Sequence, residues 1–186
     1  MNADRLTPLI AALLRPDADH PLGPGTPNRE AHARLLALRV ETAFAPQAVR
    51  DPDMARCCLA GLWLLHNYLD ESHQISQEVH TPTGSYWHGL MHRREPDYSN
   101  SKYWFHRVGR HAVFAPLAEQ AARLAGDAPA PAALLARQAE WDPFAFVDLC
   151  EASEAPTAPC HELCRRVQRA EWELLFAWCC ARAVEG

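Results

Sequence analysis

Apolar residues recur at helical intervals along almost the whole chain, and no stretch keeps the period of two that a strand facing a core requires. Leu6, Leu9, Ile10, Leu13 and Leu14 open the pattern, and Arg15-Pro16 stops it. Residues 16–28 hold four prolines and two glycines, which predicts a loop. A second helix is predicted from Asn28, a favourable N-cap, to about Val40. Pro46 and Pro52 punctuate the next connection, where Asp51-Pro52 reads as an N-cap followed by proline at the first helical position.

From Pro52 one long helix is predicted to about Val79. Its middle, CCLAGLWLLHNYLDESH, is apolar nearly all round, the mark of a central helix contacted on several sides. Farther on, VFAPLAEQAARLAG, PAALLARQAEW and DPFAFVDLCEA predict three short helices, separated by Gly126, Pro129, Pro131 and Pro143. EASEAPTAP reads as a loop. A last helix from His161 to Ala183 places Leu163, Val167, Ala170, Leu174, Leu175 and Trp178 on its inner side. With no repeat and no low-complexity linker, residues 1–186 read as a single all-α domain, an orthogonal helical bundle of about seven to nine helices.

Composition narrows the classes. A chain of 186 residues can bury a core without metals or disulfides as staples. No apolar run reaches the ~18 residues of a membrane span, and the charged flanks Asp4 and Asp17 make the N-terminus read as a helix and not a signal peptide. Seven cysteines, with two adjacent pairs, make a poor disulfide framework, so a cytoplasmic setting with thiols packed as small hydrophobes is expected. A net charge of −5 argues against nucleic acid as a partner.

Against this background residues 80–107, HTPTGSYWHGLMHRREPDYSNSKYWFHR, stand out. Seven of the ten histidines lie between His66 and His111, and Lys102 is the sole lysine of the chain. On the predicted central helix His66, Asp70, His73 and Gln77 sit at i, i+4, i+7 and i+11, one stripe of a helix. His88 and His92 are four apart, so both imidazoles project from one face if residues 85–94 are helical. That pair is a common first half of a zinc or iron site, with His66, Asp70 or His73 available to complete it if the two segments pack together. The five residues are the catalytic candidates, His88 and His92 also the metal ligands. The plainer reading is ordinary core histidines bonded to carbonyls or carboxylates, since H-x-x-x-H without the adjacent glutamate of metallopeptidases matches often by chance.

A second set of residues suits an anion. Thr81 to Ser85 reads as a tight turn with Ser85 as N-cap, and Asp97 to Ser101 as another with Ser99 or Asn100 as cap; free N–H groups at such ends hold phosphate or carboxylate oxygens. Arg93, Arg94, Lys102, Arg107 and Arg110 reverse the chain's overall sign locally. Thr83, Ser85, Trp87, Arg93, Arg94, Ser99, Asn100, Lys102 and Trp104 are therefore candidates for binding a small anionic or polyol-like molecule. Surface ion pairs, helix caps and core aromatics account for the same residues without a ligand. Cys160-His161-Glu162-Leu163-Cys164 offers two thiols without a second pair at finger spacing and reads as structural.

At WHGLMHRREPDYSNSKYWFHRVGRH the chain resembles a group of bacterial hypothetical proteins carrying a nearly identical segment. The likeness runs from the central helix to Phe114 and implies no activity, ligand or catalytic residue. The sequence thus leads to a pocket protein, in enzyme form a metal-assisted hydrolase or proton-transfer catalyst. The alternative is a non-catalytic module that uses the aromatic and arginine-rich segment 86–107 to dock a protein partner. A haem or other prosthetic group on an axial histidine is compatible with the helices, but no C-x-x-C-H attachment signature occurs.

Overall fold

A computed structural model describes residues 7–14, 20–126 and 132–185. Among the described residues there are eleven helices and no strand. They are α1 (Pro8–Ala11), α2 (Arg29–Ala37), α3 (Val40–Ala43), α4 (Pro52–Leu65), α5 (Leu69–Ser76), α6 (Pro82–Arg94), α7 (Tyr98–Val108), α8 (Phe114–Ala125), α9 (Ala133–Arg137), α10 (Pro143–Ala152) and α11 (His161–Glu185). Asp4, Leu6, Arg15, Pro16, Asp17, Pro129 and Pro131, used above as sequence signals, lie outside the described residues.

The excess over the expected seven to nine helices has local causes. The second helix stops at Ala37, because Leu38 is extended and the Arg39 guanidinium donates to the carbonyls of Leu36 and Leu38 at 2.6 and 2.7 Å. The expected long helix breaks after Leu65. Asn67 takes a left-handed φ of 63° and donates to the Thr26 carbonyl at 2.8 Å, and asparagine tolerates that conformation better than most residues. Asn28 and Asp51 are N-caps as expected, with Asp51 Oδ1 accepting from two amides at 3.0 Å. The next helix, however, starts at Pro82 under a Thr81 cap, not at Ser85, and α7 is capped by Asp97, not by Ser99 or Asn100.

The core lies between α4, α6 and α11. α4 is buried along nearly its whole length, as its apolar middle predicts. Gly61 on α4 lets α6 approach: a Cβ there would lie 2.7 Å from the Trp87 ring. Along α11 the deepest seam is Cys164, Val167, Glu171, Leu175 and Cys179, while Leu163, Leu174 and Trp178 are only half-buried. Val167, Ala170 and Leu175 face inward as expected, but the seam is rotated toward Cys164 and Cys179 and holds a carboxylate in its middle.

That carboxylate explains the most unusual element. Every residue of α6 from Thr83 to Arg94 is buried, although the helix is rich in polar groups. Burial of such groups is tolerable when they are paired. Arg93, 1% exposed, donates to Glu171 at 2.6 Å and to Gln168 at 3.2 Å, and its guanidinium lies 4.7 Å from the centre of the Phe146 ring. Tyr86 donates its hydroxyl to the other Glu171 oxygen at 2.9 Å. Arg94 donates to the carbonyls of Leu64, Gly23 and Pro24 and to the Asn67 side chain. α6 is thus tied to α11 and to the loop before α2 by two arginines that point inward. Its remaining long face meets α5 and α7, and there the histidines sit.

Candidate metal centre

α5 contributes His73 and α6 contributes His88 and His92, one turn apart on the same side. The ring centres are 4.5 Å apart for His73–His88, 5.3 Å for His73–His92 and 4.8 Å for His88–His92. One nitrogen from each ring lies within 4.8 Å of the other two, and this is the one such group of three found among the described residues. α7 closes the far side. Trp104 stacks on His88 with centres 3.8 Å apart and planes 17° from parallel, and the exposed Arg107 guanidinium covers the outer face of Trp104 at 5.3 Å.

Each imidazole is set differently. His88 is 1% exposed, and its Nδ1 is buried with no hydrogen-bond partner. Burial first, then the neighbouring His92 and His73, push its pKa down to about 3, so the ring is neutral near pH 7. His92 is also lowered by burial, opposed by Glu95. Its partners assign a tautomer: Nδ1–H donates to Glu95 Oε2 at 3.0 Å, and the Nε2 lone pair faces the Asn100 amide, whose Nδ2 donates at 3.1 Å. His73 is half-buried.

The donor set suits a divalent transition ion. Neutral imidazoles are the ligands such ions take, and three of them leave a position open. A tetrahedral ion with ~2.05 Å bonds holds nitrogens about 3.4 Å apart, so closure of about 1.4 Å at the widest is needed, within reach of side-chain torsions. The Glu95···His92 bond is the outer carboxylate that commonly orients a ligating imidazole.

Several expected residues are elsewhere. His66 caps α4, where Leu13 O lies 2.9 Å from its Nε2 and the Asn28 side chain donates to Nδ1 at 3.0 Å, so it ties the N-terminal segment down and does not join the cluster. Asp70 is exposed and outside the trio; the helix break after Leu65 destroys the stripe that grouped both with His73. The anion cradle is not assembled either. Arg93 and Arg94 serve interior partners, Lys102 pairs with Asp148, and Trp87 is fully buried with its N–H on Cys179 Sγ at 3.4 Å. Ser85 lies inside α6, and Ser99 donates to Asp97 at 3.1 Å. The N–H groups of Gly84 and Asn100 are taken by the side chains of Thr81 and Asp97.

Thr83 meets His111 at 3.1 Å, but no activated hydroxyl results. The Val113 amide donates to His111 Nδ1 at 3.2 Å, so Nε2 carries the hydrogen and donates to Thr83. Of the ligand candidates, Asn100 hydrogen-bonds His92 and Trp104 stacks on His88. Glu95 is not among the sequence candidates, although its i+3 spacing from His92 is the signal that finds it. No family model, curated protein or solved structure matches the chain.

Proposed function

We propose that the protein binds a divalent transition ion, zinc or ferrous iron, through His73, His88 and His92, and uses the remaining position for hydrolytic or proton-transfer chemistry. The observation that carries this reading is the unpartnered Nδ1 of His88, buried against two further imidazoles. An orphaned polar atom of that kind is costly, and in native proteins it calls for an explanation such as an ion. Three neutral nitrogen ligands with one open position are the arrangement in which zinc lowers the pKa of a bound water to about 7.

Glu95 would hold the His92 ring with its Nε2 toward the ion. Asn100 now occupies that lone pair; once displaced, its amide is placed to hydrogen-bond whatever takes the fourth position. Of the two ligand classes expected, the surroundings favour the neutral, polyol-like one. The charged groups facing His92 are the carboxylates Glu95 and Asp97, whereas Arg93, Arg94 and Lys102 are committed to other partners. A docking patch of Trp and Arg has less support, because Trp87, Arg93 and Arg94 are interior.

Cobalt(II) titration tests the proposal. A single set of visible bands saturating at one equivalent is expected, lost in His88→Ala and His92→Ala while far-ultraviolet circular dichroism stays helical. Cobalt bands that persist in both variants, or no bands in the wild type, would remove the metal centre.

A further inference from the structure

The two adjacent cysteine pairs have no part in the metal reading, yet the fold brings them together. Cys57 and Cys58 lie on α4, Cys179 and Cys180 on α11, and all four are buried where these two helices pack. Cys58 Sγ and Cys180 Sγ are 3.3 Å apart, across 122 positions of sequence. Cys179 Sγ accepts the Trp87 indole N–H at 3.4 Å and so is held on the inner side of the cluster. Cys180 is the most exposed of the four, at 7%, against 1% for Cys58.

We propose that Cys58 and Cys180 form a dithiol site that a peroxide converts to a disulfide joining α4 to α11. The Cys180 sulfur attacks one peroxide oxygen, breaking the O–O bond to give a sulfenic acid, and the proton it gives up joins the departing hydroxide as water. Cys58 sulfur then attacks the sulfenic sulfur; the S–O bond breaks, and the thiol proton leaves with that oxygen as a second water. Two thiols lose two electrons, and one peroxide becomes two waters. Cys58, 1% exposed against 7% for Cys180, is the less accessible to peroxide and so the second, resolving group; burial also pushes its thiol up. Contact at 3.3 Å is close enough for the bond to form with little helix movement. Cys57, the neighbouring position of α4, and Cys179, which contacts both Cys57 and Cys58, are the natural competitors.

A link across so long a loop is expected to raise Tm on the order of 10 °C, and reductant should reverse the rise. The test is graded hydrogen peroxide on the folded protein, then alkylation after denaturation, tryptic digestion and mass spectrometry. Peptide 57–93 linked to peptide 170–182 is expected in the wild type and in Cys57→Ser, and is expected to vanish in Cys58→Ser and in Cys180→Ser. Circular dichroism of each variant establishes that it is folded, and a second replacement with alanine is used where serine unfolds it. Three results would each overturn the assignment: a link that persists in Cys58→Ser or in Cys180→Ser, oxidation that stops at sulfinic acid without a link, or peroxide that leaves all seven thiols alkylatable.

Discussion

Glu171 on α11 provides the sharpest test of how α6 is held. The carboxylate is 0% exposed, accepts from Arg93 at 2.6 Å and from Tyr86 at 2.9 Å, and faces a guanidinium that is itself 1% exposed. Glu171→Gln keeps the shape and an acceptor for Tyr86 but leaves Arg93 as an uncompensated cation in the interior. Breaking such a pair from one side costs about 3–5 kcal/mol, a large part of the ~5–15 kcal/mol that stabilises a typical domain. With a urea m-value of about 2 kcal/mol/M, the midpoint should fall by roughly 2 M at unchanged slope. Arg93→Met alone strands the carboxylate and should cost a similar amount. The double variant Arg93→Met/Glu171→Gln removes both charges and should cost far less than the sum, with a coupling of at least about 2 kcal/mol. Urea unfolding of the four proteins, followed by fluorescence and circular dichroism, completes the cycle. Single variants that lose less than about 1 kcal/mol, or additive losses in the double variant, would refute the idea that this pair anchors the buried helix.

The other expectations are simpler. Stability should fall with acid: His88 and His111 have folded pKa values of about 3 and about 4, below the ordinary 6.5, so the unfolded chain binds more protons as pH drops below about 6.5. Each contributes up to about 1.4 kcal/mol per pH unit over that window, and a Tm that stays level or rises between pH 7 and 5 contradicts this. Glu95→Gln should weaken metal affinity by about 10- to 100-fold, measured by competition with a chromophoric chelator, through loss of the carboxylate that orients His92. Unchanged affinity would show that Glu95 does not act on the ligand. Gly61→Ala places a Cβ 2.7 Å from the Trp87 ring and should cost about 1–3 kcal/mol in urea unfolding, whereas a neutral result would mean that α4 and α6 are not in close contact.

What the sequence disclosed follows from which forces are local. Caps at Asn28 and Asp51, the helical period throughout and the shared face of His88 and His92 depend on neighbours within a few positions, and all of these were legible. His73 was legible as one of three alternatives only, because choosing it requires knowing how α5 crosses α6. The break at Asn67 was not legible, since the Thr26 carbonyl and Arg94 that stabilise it come from distant chain. By residue type Arg93 and Arg94 suit an anion, but direction decides their role, and direction is a tertiary property. A signal was present for Glu171: a carboxylate four positions after Val167 and four before Leu175 lies on an apolar seam and demands a buried partner.

The measurement that tests the central claim most directly is elemental analysis of the freshly purified protein beside His73→Ala, His88→Ala and His92→Ala. The account predicts close to one equivalent of zinc or iron per chain in the wild type and a large loss in each variant, with helical content retained. A wild type without stoichiometric metal that also fails to take up added zinc or iron, or variants that keep the full equivalent, would contradict it.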